Sequence, residues 1–99
     1  MTALAVIGPD DPGGPDWAEA HSITEIEELV RAGRTVAVTP AALAGDDREA
    51  AELAAASICA WAGARVFRTT RPDQVRLAVE MTESLAGRRP PALTRRGLA

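Results

Sequence analysis

Three short apolar runs along the chain predict buried β-strands. These runs cover residues 4–7, 35–38 and 65–68. The first two are continuous rather than alternating, which is typical of strands buried on both faces, as in parallel sheets. Residues 8–16 are rich in glycine, proline and aspartate and have the composition of a loop. The hydrophobic pattern therefore predicts three strands of a small parallel sheet.

Helical spacing of apolar residues predicts three helices between and after these strands. A capping-box pair, Ser22 and Glu25, opens the first helix. Asp46 or Asp47 is expected to cap the second, because a carboxylate there suits the free N–H groups and the helix dipole. Pro72 is tolerated in the first turn of the third helix. Each pattern ends at a glycine, and the expected ranges are 22–32, 46–62 and 70–86.

The same spacing predicts which side of each helix carries the apolar residues. In the first helix this face consists of Ile23, Ile26, Leu29 and Val30. In the second helix one stripe consists of Leu53, Ser57 and Trp61, flanked by Ala50, Ala54 and Ile58. In the third helix the predicted buried face consists of Val75, Ala78, Val79, Thr82, Leu85 and Ala86. The small side chains of the second helix allow a close approach to the sheet or to another helix.

The element order β-α-β-α-β-α predicts an α/β fold. Alternation of this kind favours parallel strands joined by right-handed crossovers, here a small parallel sheet with flanking helices. We assign residues 1–87 to a single α/β domain and residues 88–99 to a C-terminal tail rich in arginine and proline. A chain of 99 residues is shorter than a complete (β/α)₈ barrel, which needs at least about 200 residues.

The composition excludes several kinds of catalytic site. A single cysteine, Cys59, permits no internal disulfide, and a single histidine, His21, cannot form a multi-histidine metal site. All 11 basic side chains are arginines, so a Schiff-base or Walker-type lysine is excluded. We expect Cys59 to be buried in its alanine-rich helix and His21 to be a surface or capping residue. We predict no metal site and no cofactor.

The chain shows no pattern that favours a membrane or a nucleic acid. Residues 1–7 lack the basic start of a secretory signal, and no stretch approaches the roughly 20 apolar residues of a membrane span. The three aromatic residues, Trp17, Trp61 and Phe67, make no stacking platform for bases. We therefore expect a cytoplasmic protein without membrane or nucleic-acid partners.

Charge is divided unevenly between the two halves of the chain. Residues 1–50 carry ten acids against three arginines, whereas residues 51–99 carry four acids against eight arginines. Four of these arginines, Arg88, Arg89, Arg95 and Arg96, lie in the last 13 residues without any acid among them. A solvated tail is the favoured interpretation, and binding of an acidic partner or of nucleic acid by the tail is the alternative.

Candidate chemistry is expected where the strands end, because ligands of open parallel sheets bind beyond the carboxyl ends of the strands. The third strand ends in residues 68–71, Arg-Thr-Thr-Arg, and the Arg68 guanidinium suits an anion beside the free N–H groups of the next helix. A surface ion pair is the favoured alternative for Arg68. Asp10, Asp11 and Asp16 suit a hard cation such as Mg²⁺, although turn-forming aspartates in a loop are the favoured interpretation.

One segment of the second half is specific enough to compare with a known family. It is the run Ala60-Trp61-Ala62-Gly63-Ala64-Arg65-Val66-Phe67-Arg68, followed by a helix and then Gly87-Arg88-Arg89-Pro90-Pro91-Ala92. This order resembles the C-terminal end of dihydropteroate synthase, an enzyme of the folate pathway. Residues 33–38 resemble the preceding strand of that family, and residues 95–99 resemble the tail of its actinobacterial members. The resemblance implies the last units of a (β/α)₈ barrel that joins a pterin pyrophosphate to para-aminobenzoate.

The resemblance implies anion- or pterin-binding roles for three residues. Arg68 matches the arginine of the family's Arg-x-His motif, which contacts an anionic group of the pterin substrate, and Thr70 stands at the histidine position. Asp11, followed by Pro-Gly, resembles the family's pterin-binding aspartate. The family's Ser-Arg-Lys falls where this chain has residues 39–42, so the lysine contact is missing.

The function that this resemblance implies is that of a dihydropteroate-synthase-like domain that is not catalytic alone. We expect it to act through association, as a homodimer or with a larger synthase-like partner of the folate pathway. About three β/α units do not close a barrel, and open sheet edges need a partner. The alternative is a pterin- or phosphate-binding transferase of folate biosynthesis that is completed by oligomerisation. A third interpretation is a free-standing α/β interaction module.

Overall fold

The computed structural model describes residues 4–88 and confirms an α/β fold with a parallel sheet. The strands are β1 (Ala5–Ile7), β2 (Trp17–Glu19), β3 (Thr35–Val38) and β4 (Val66–Arg68). The helices are α1 (Ile23–Arg31), α2 (Pro40–Ala44), α3 (Glu49–Ala62) and α4 (Pro72–Leu85). None of the helices in this part of the chain is both long enough and apolar enough to span a membrane.

The sheet contains one strand more than the apolar runs predict. Its order is β1-β4-β3-β2, and all neighbouring strands are parallel. The additional strand, β2, lies at one edge, where Ala18 is in register with Val36. The predicted order β-α-β-α-β-α is wrong in this respect, because three residues are too few to show an alternating pattern. Strand β1 forms the opposite edge, beside the last strand of the chain.

Helices α1, α3 and α4 share one core on a single face of the sheet. Val36, Val38 and Phe67 supply the sheet side of this core and are fully buried. The buried helix residues that meet them are Ile26, Ala56, Cys59, Ala60, Val75 and Val79. Because successive residues of a strand point to opposite faces, Arg68 lies on the other face from Phe67. The Arg68 side chain, at the end of the central strand β4, therefore points away from the main core.

The loop at residues 8–16 reaches Arg68 on that second face. The Arg68 guanidinium donates a hydrogen bond to the carbonyl of Asp11. At Gly13, where φ is +77°, an added Cβ would lie 2.9 Å from Nη2 of Arg68 and 3.0 Å from the ring of Trp17. A larger residue at this position would be strained by the positive φ and would require the Arg68 and Trp17 side chains to shift.

Helix boundaries follow the predicted signals at two of three starts. Ser22 caps α1, with the Glu25 N–H donating to its Oγ at 3.1 Å, while the backbone N–H of exposed His21 donates to the Glu25 carboxylate. Pro72 occupies the first turn of α4. The predicted cap at Asp46 or Asp47 is wrong, because α3 begins at Glu49 without a side-chain cap. Asp46 instead accepts the backbone N–H of Arg48 at 2.9 Å in a turn before the helix.

The predicted buried face of α4 is confirmed at Val75, Val79 and Thr82 and is wrong at Leu85, and the predicted stripe of α3 is wrong at Trp61. Trp61 is 60% exposed and Leu85 is 77% exposed. In their place the two helices bury carboxylates, Glu52 in α3 and Glu83 in α4, each only 2% exposed. A carboxylate can be buried where other side chains donate hydrogen bonds to it, and the spacing of apolar residues along a helix does not predict such donors.

Candidate functional site

A cleft of about 290 Å³ lies at the carboxyl edge of the sheet. It combines Thr39 after β3, residues 68–71 after β4, and the start of α3 at Asp47 and Glu52, with Pro9 after β1. Parallel strands bring their carboxyl ends to one edge, which is why side chains so far apart in the sequence meet here. The cleft lies at the predicted position, and it includes two of the three predicted site residues, Arg68 and Thr70.

Arg68 is largely buried and paired within the chain. Its Nη2 lies 2.9 Å from Oε2 of Glu19 on β2, and its Nη1 donates to the backbone carbonyl of Asp11. The hydrogen bond to the Glu19 carboxylate raises the pKa of Arg68 above its ordinary value. Its guanidinium thus joins the central strand β4 to the edge strand β2 and to the loop that follows β1.

The structure brings Asp11 and Arg68 together through the backbone of Asp11 rather than through its carboxylate. That carboxylate accepts the N–H of Gly13 at 2.8 Å, as in a turn-forming aspartate. Thr70 is exposed and lines the cleft beside Arg68. The Mg²⁺ interpretation of Asp10, Asp11 and Asp16 is wrong, since no three His, Cys, Asp or Glu side chains among residues 4–88 converge to hold a metal ion.

A second network, which joins two residues of the predicted strand end to an unpredicted carboxylate, lines the cleft. Buried Glu52 accepts hydrogen bonds from the Thr69 hydroxyl and from Nη1 of Arg71, both at 2.6 Å. The Thr69 oxygen also accepts the backbone N–H of Arg71 at 2.9 Å, and Arg71 reaches the carbonyl of Asp47 at 2.7 Å. These bonds tie the start of α3 to the β4–α4 connection. Nothing in the spacing of Glu52 within its alanine-rich helix indicates this role.

A third network lies at the opposite, amino edge of the sheet. The buried Glu83 carboxylate accepts hydrogen bonds from Arg65 and from Arg88, whose Nε and Nη2 lie 2.8 and 2.6 Å from Oε2. Burial by itself would raise the pKa of Glu83, but the hydrogen bonds from Arg88 and Arg65 hold it below its ordinary value. Arg88 also donates to the carbonyl of Ala60 at the end of α3, at 2.7 Å.

Five large apolar side chains are exposed on the two helices that pack most extensively against each other. These side chains, between 55 and 77% exposed, are Ile58 and Trp61 of α3 and Leu77, Met81 and Leu85 of α4. Those of α4 recur every four residues and therefore lie on one side of the helix. We call these five residues the α3–α4 apolar surface. Ile58 also lines an apolar groove that includes residues of α2. Single exposed apolar side chains are ordinary, whereas larger exposed apolar areas are typical of interaction sites.

Both arginines of the cleft are paired with carboxylates of the same chain. Glu19 compensates Arg68, and Glu52 compensates Arg71, so an anion entering the cleft competes with two internal carboxylates. The thiol of Cys59 lies in the core, where burial raises its pKa to about 11, and it is protonated at neutral pH. No family model, curated protein or solved structure matches this sequence.

Proposed function

We propose that this chain is a non-catalytic α/β interaction domain that acts by associating with another protein through the α3–α4 apolar surface. The observation that carries the proposal is the exposure of the five side chains of this surface, which lie on two packed helices. Burial of such side chains contributes about 25 cal/mol for each Å² of apolar surface removed from water. A protein partner that binds there would bury these side chains, and the chain would keep its fold.

The charge arrangement of the cleft supports a non-catalytic role. The two arginines at the carboxyl edge already bind Glu19 and Glu52 within the chain. The dihydropteroate-synthase resemblance points in the same direction, since Thr70 stands at the family's histidine position and the family's lysine is missing. The partner in this proposal is a second copy of the chain or a larger dihydropteroate-synthase-like protein.

The proposal predicts loss of association when acidic groups are placed on the α3–α4 apolar surface. Wild type is expected to show a mass above the 10.4 kDa monomer in light scattering, alone or mixed with the dihydropteroate synthase of the same genome. The double variant Leu77→Glu/Met81→Glu is expected to lose that association, because burying two new carboxylates costs several kcal/mol. Thr24→Glu, at an exposed position of α1, is the control. A monomeric wild type that binds no synthase contradicts the proposal.

The second candidate is a phosphate- or pterin-binding site at the cleft, completed by oligomerisation. The observation that favours it is the convergence of Arg68, Thr70 and Arg71 on one cleft at the carboxyl edge. Each guanidinium has five N–H donors, so pairing with one carboxylate leaves donors for a ligand. In this case calorimetry with a pterin pyrophosphate detects binding to wild type. The Arg68→Ala variant is expected to bind it with an affinity at least tenfold lower, a difference of about 1.4 kcal/mol. The absence of heat with both proteins excludes this candidate.

A further inference from the structure

A groove of about 300 Å³ lies between α3 and the helices α1 and α2. In the part of the chain that the structure describes, its lining is apolar apart from the Cys59 thiol and contains no charged residue. Half of the lining residues are alanines, namely Ala44, Ala51, Ala54 and Ala55. Ala44 and Ala54 are exposed, so the groove opens to solvent. Because alanine side chains are short, large side chains from outside can enter between the helices. We call this feature the α2–α3 groove.

The α2–α3 groove is continuous with the α3–α4 apolar surface. Ile58 belongs to both, since it lines the groove and is 55% exposed. Helix α3 packs against α2 and against α4, whereas no described residue of α4 lines the groove. The exposed side chains Leu77, Met81 and Leu85 of α4 therefore lie on the other side of Ile58. We call these three side chains the α4 ridge. One surface of the chain thus carries a groove and a ridge side by side.

The ridge and the groove match in length and in chemistry. At about 1.5 Å per residue, the ridge extends about 12 Å along α4 from Leu77 to Leu85. The α3 wall of the groove extends about 10 Å from Ala51 to Ile58. Both features are apolar, and the side chains are large on the ridge and mostly small in the groove. The chain therefore carries both halves of a contact that two copies can make with each other.

The exposed apolar area is large enough for a stable dimer. Such a dimer buries at least about 1,000 Å² in total, which is about 500 Å² from each copy. The five side chains of the α3–α4 apolar surface are each more than half exposed and supply on the order of 500 Å². The walls of the groove add to this area.

We propose that a second copy of the chain covers this surface, and that the α4 ridge of each copy packs into the α2–α3 groove of the other. This dimer rests on the proposed function, since it uses the same apolar surface and names its partner. The contact is isologous, with a two-fold axis near Ile58. Helices α3 and α4 both follow strands of a parallel sheet and run in the same direction, so the axis sets α4 of one copy antiparallel to α3 of the other. Leu85 then lies beside Ala51 and Ala44, and Leu77 lies beside Ile58.

The experiment is sedimentation velocity on the full chain, with one charged substitution on each side of the contact. Ala44→Arg changes an exposed wall of the groove, and Leu85→Glu changes an exposed end of the ridge. Each is expected to weaken the dimer at least about tenfold, because the new charge is buried against apolar side chains. Ala42→Arg is the matched control, since Ala42 is exposed on the same helix and does not line the groove. This control is expected to dimerise like wild type.

An equimolar mixture of Ala44→Arg and Leu85→Glu is the decisive sample. In the mixed dimer the new guanidinium of one copy meets the new carboxylate of the other, while the second ridge and the second groove are unaltered. The mixture is therefore expected to recover the dimer that neither variant forms alone. In a mixture of Ala42→Arg and Leu85→Glu, the Leu85→Glu chains are expected to stay monomeric.

A dimer that Ala44→Arg leaves unchanged, or a mixture that stays monomeric, overturns the packing of ridge into groove. If Leu77→Glu/Met81→Glu loses association and Ala44→Arg keeps it, this dimer is excluded and the proposed function stands. A wild type that is monomeric alone but binds the synthase has the same meaning. A wild type that associates with neither contradicts both proposals.

Discussion

Replacing Glu83 with alanine is expected to destabilise the fold by about 3–5 kcal/mol, because the change leaves two arginines without their buried partner. Arg65 is only 14% exposed in its side chain and binds the Glu83 carboxylate directly. Arg88 uses the same carboxylate to reach the carbonyl of Ala60 at the end of α3. Since domains of this size are stable by only about 5–15 kcal/mol, the variant is expected to be partly unfolded at 37 °C.

The measurement is urea unfolding of wild type, Glu83→Ala and Glu83→Gln across pH. The folded-state pKa of Glu83 lies below its ordinary value of 4.5, so the carboxylate contributes its stabilisation above that pH. The contribution is lost as pH falls through the lowered folded-state pKa. Wild type is therefore expected to lose more stability than Glu83→Gln on acidification. Asp73→Ala, an exposed acid in the first turn of the same helix, is expected to cost about 0.5 kcal/mol and serves as the control.

A cost for Glu83→Ala no larger than that of Asp73→Ala would contradict a stabilising role for this network. A similar acid-induced loss of stability in wild type and in Glu83→Gln would assign the pH dependence to other carboxylates. The first outcome would show that the two arginines find new partners or water once the carboxylate is removed.

Replacing Glu52 with alanine is expected to cost about 2–3 kcal/mol, the second-largest effect among these variants. The change removes the acceptor for the Thr69 hydroxyl and for Arg71. The cost is smaller than at Glu83 because Arg71 is 30% exposed and can turn towards water. The β4–α4 connection, which lines the cleft, then loses its tie to α3.

The double-mutant cycle of Glu52→Leu with Thr69→Val tests this coupling by urea unfolding. Removing both partners leaves fewer buried polar groups unpaired, so the double variant is expected to be more stable than the sum of the single changes predicts. Glu49→Ala, an exposed acid in the first turn of the same helix, is expected to cost about 0.5 kcal/mol. Additive effects of Glu52→Leu and Thr69→Val would show that their 2.6 Å hydrogen bond carries no coupling energy.

Local features of the chain could be predicted well where the signal lies within a few residues. The apolar runs locate β1, β3 and β4, and the Ser22–Glu25 pair locates the start of α1. Strand β2 could not be predicted, because its three residues are held by register with β3 rather than by a pattern of their own. Helix α2 could not be predicted either, because its five residues are too few to show a helical repeat of apolar positions.

The position of the candidate site could be predicted from the sequence, but the carboxylates that pair with its arginines could not. The rule for carboxyl ends of parallel strands identifies Arg68 and Thr70 as residues of the cleft. Glu19, whose carboxylate binds Arg68, lies on β2, which the sequence pattern does not predict. Glu52 lies on a helix whose apolar stripe suggested a different buried face. Partners of this kind depend on contacts between residues 17 to 57 positions apart.

Hydropathy and capping by themselves determined an α/β chain with parallel strands, because those signals depend on neighbours one to four residues away. The sequence pattern also predicted Val75, Val79 and Thr82 as buried in α4, but tertiary structure alone decided the fate of four other side chains of α3 and α4. It placed Glu52 and Glu83 inside with their arginines and left Trp61 and Leu85 at the surface. The physical reason is that a buried carboxylate is tolerated only where distant donors meet it, and only the folded chain brings those donors together.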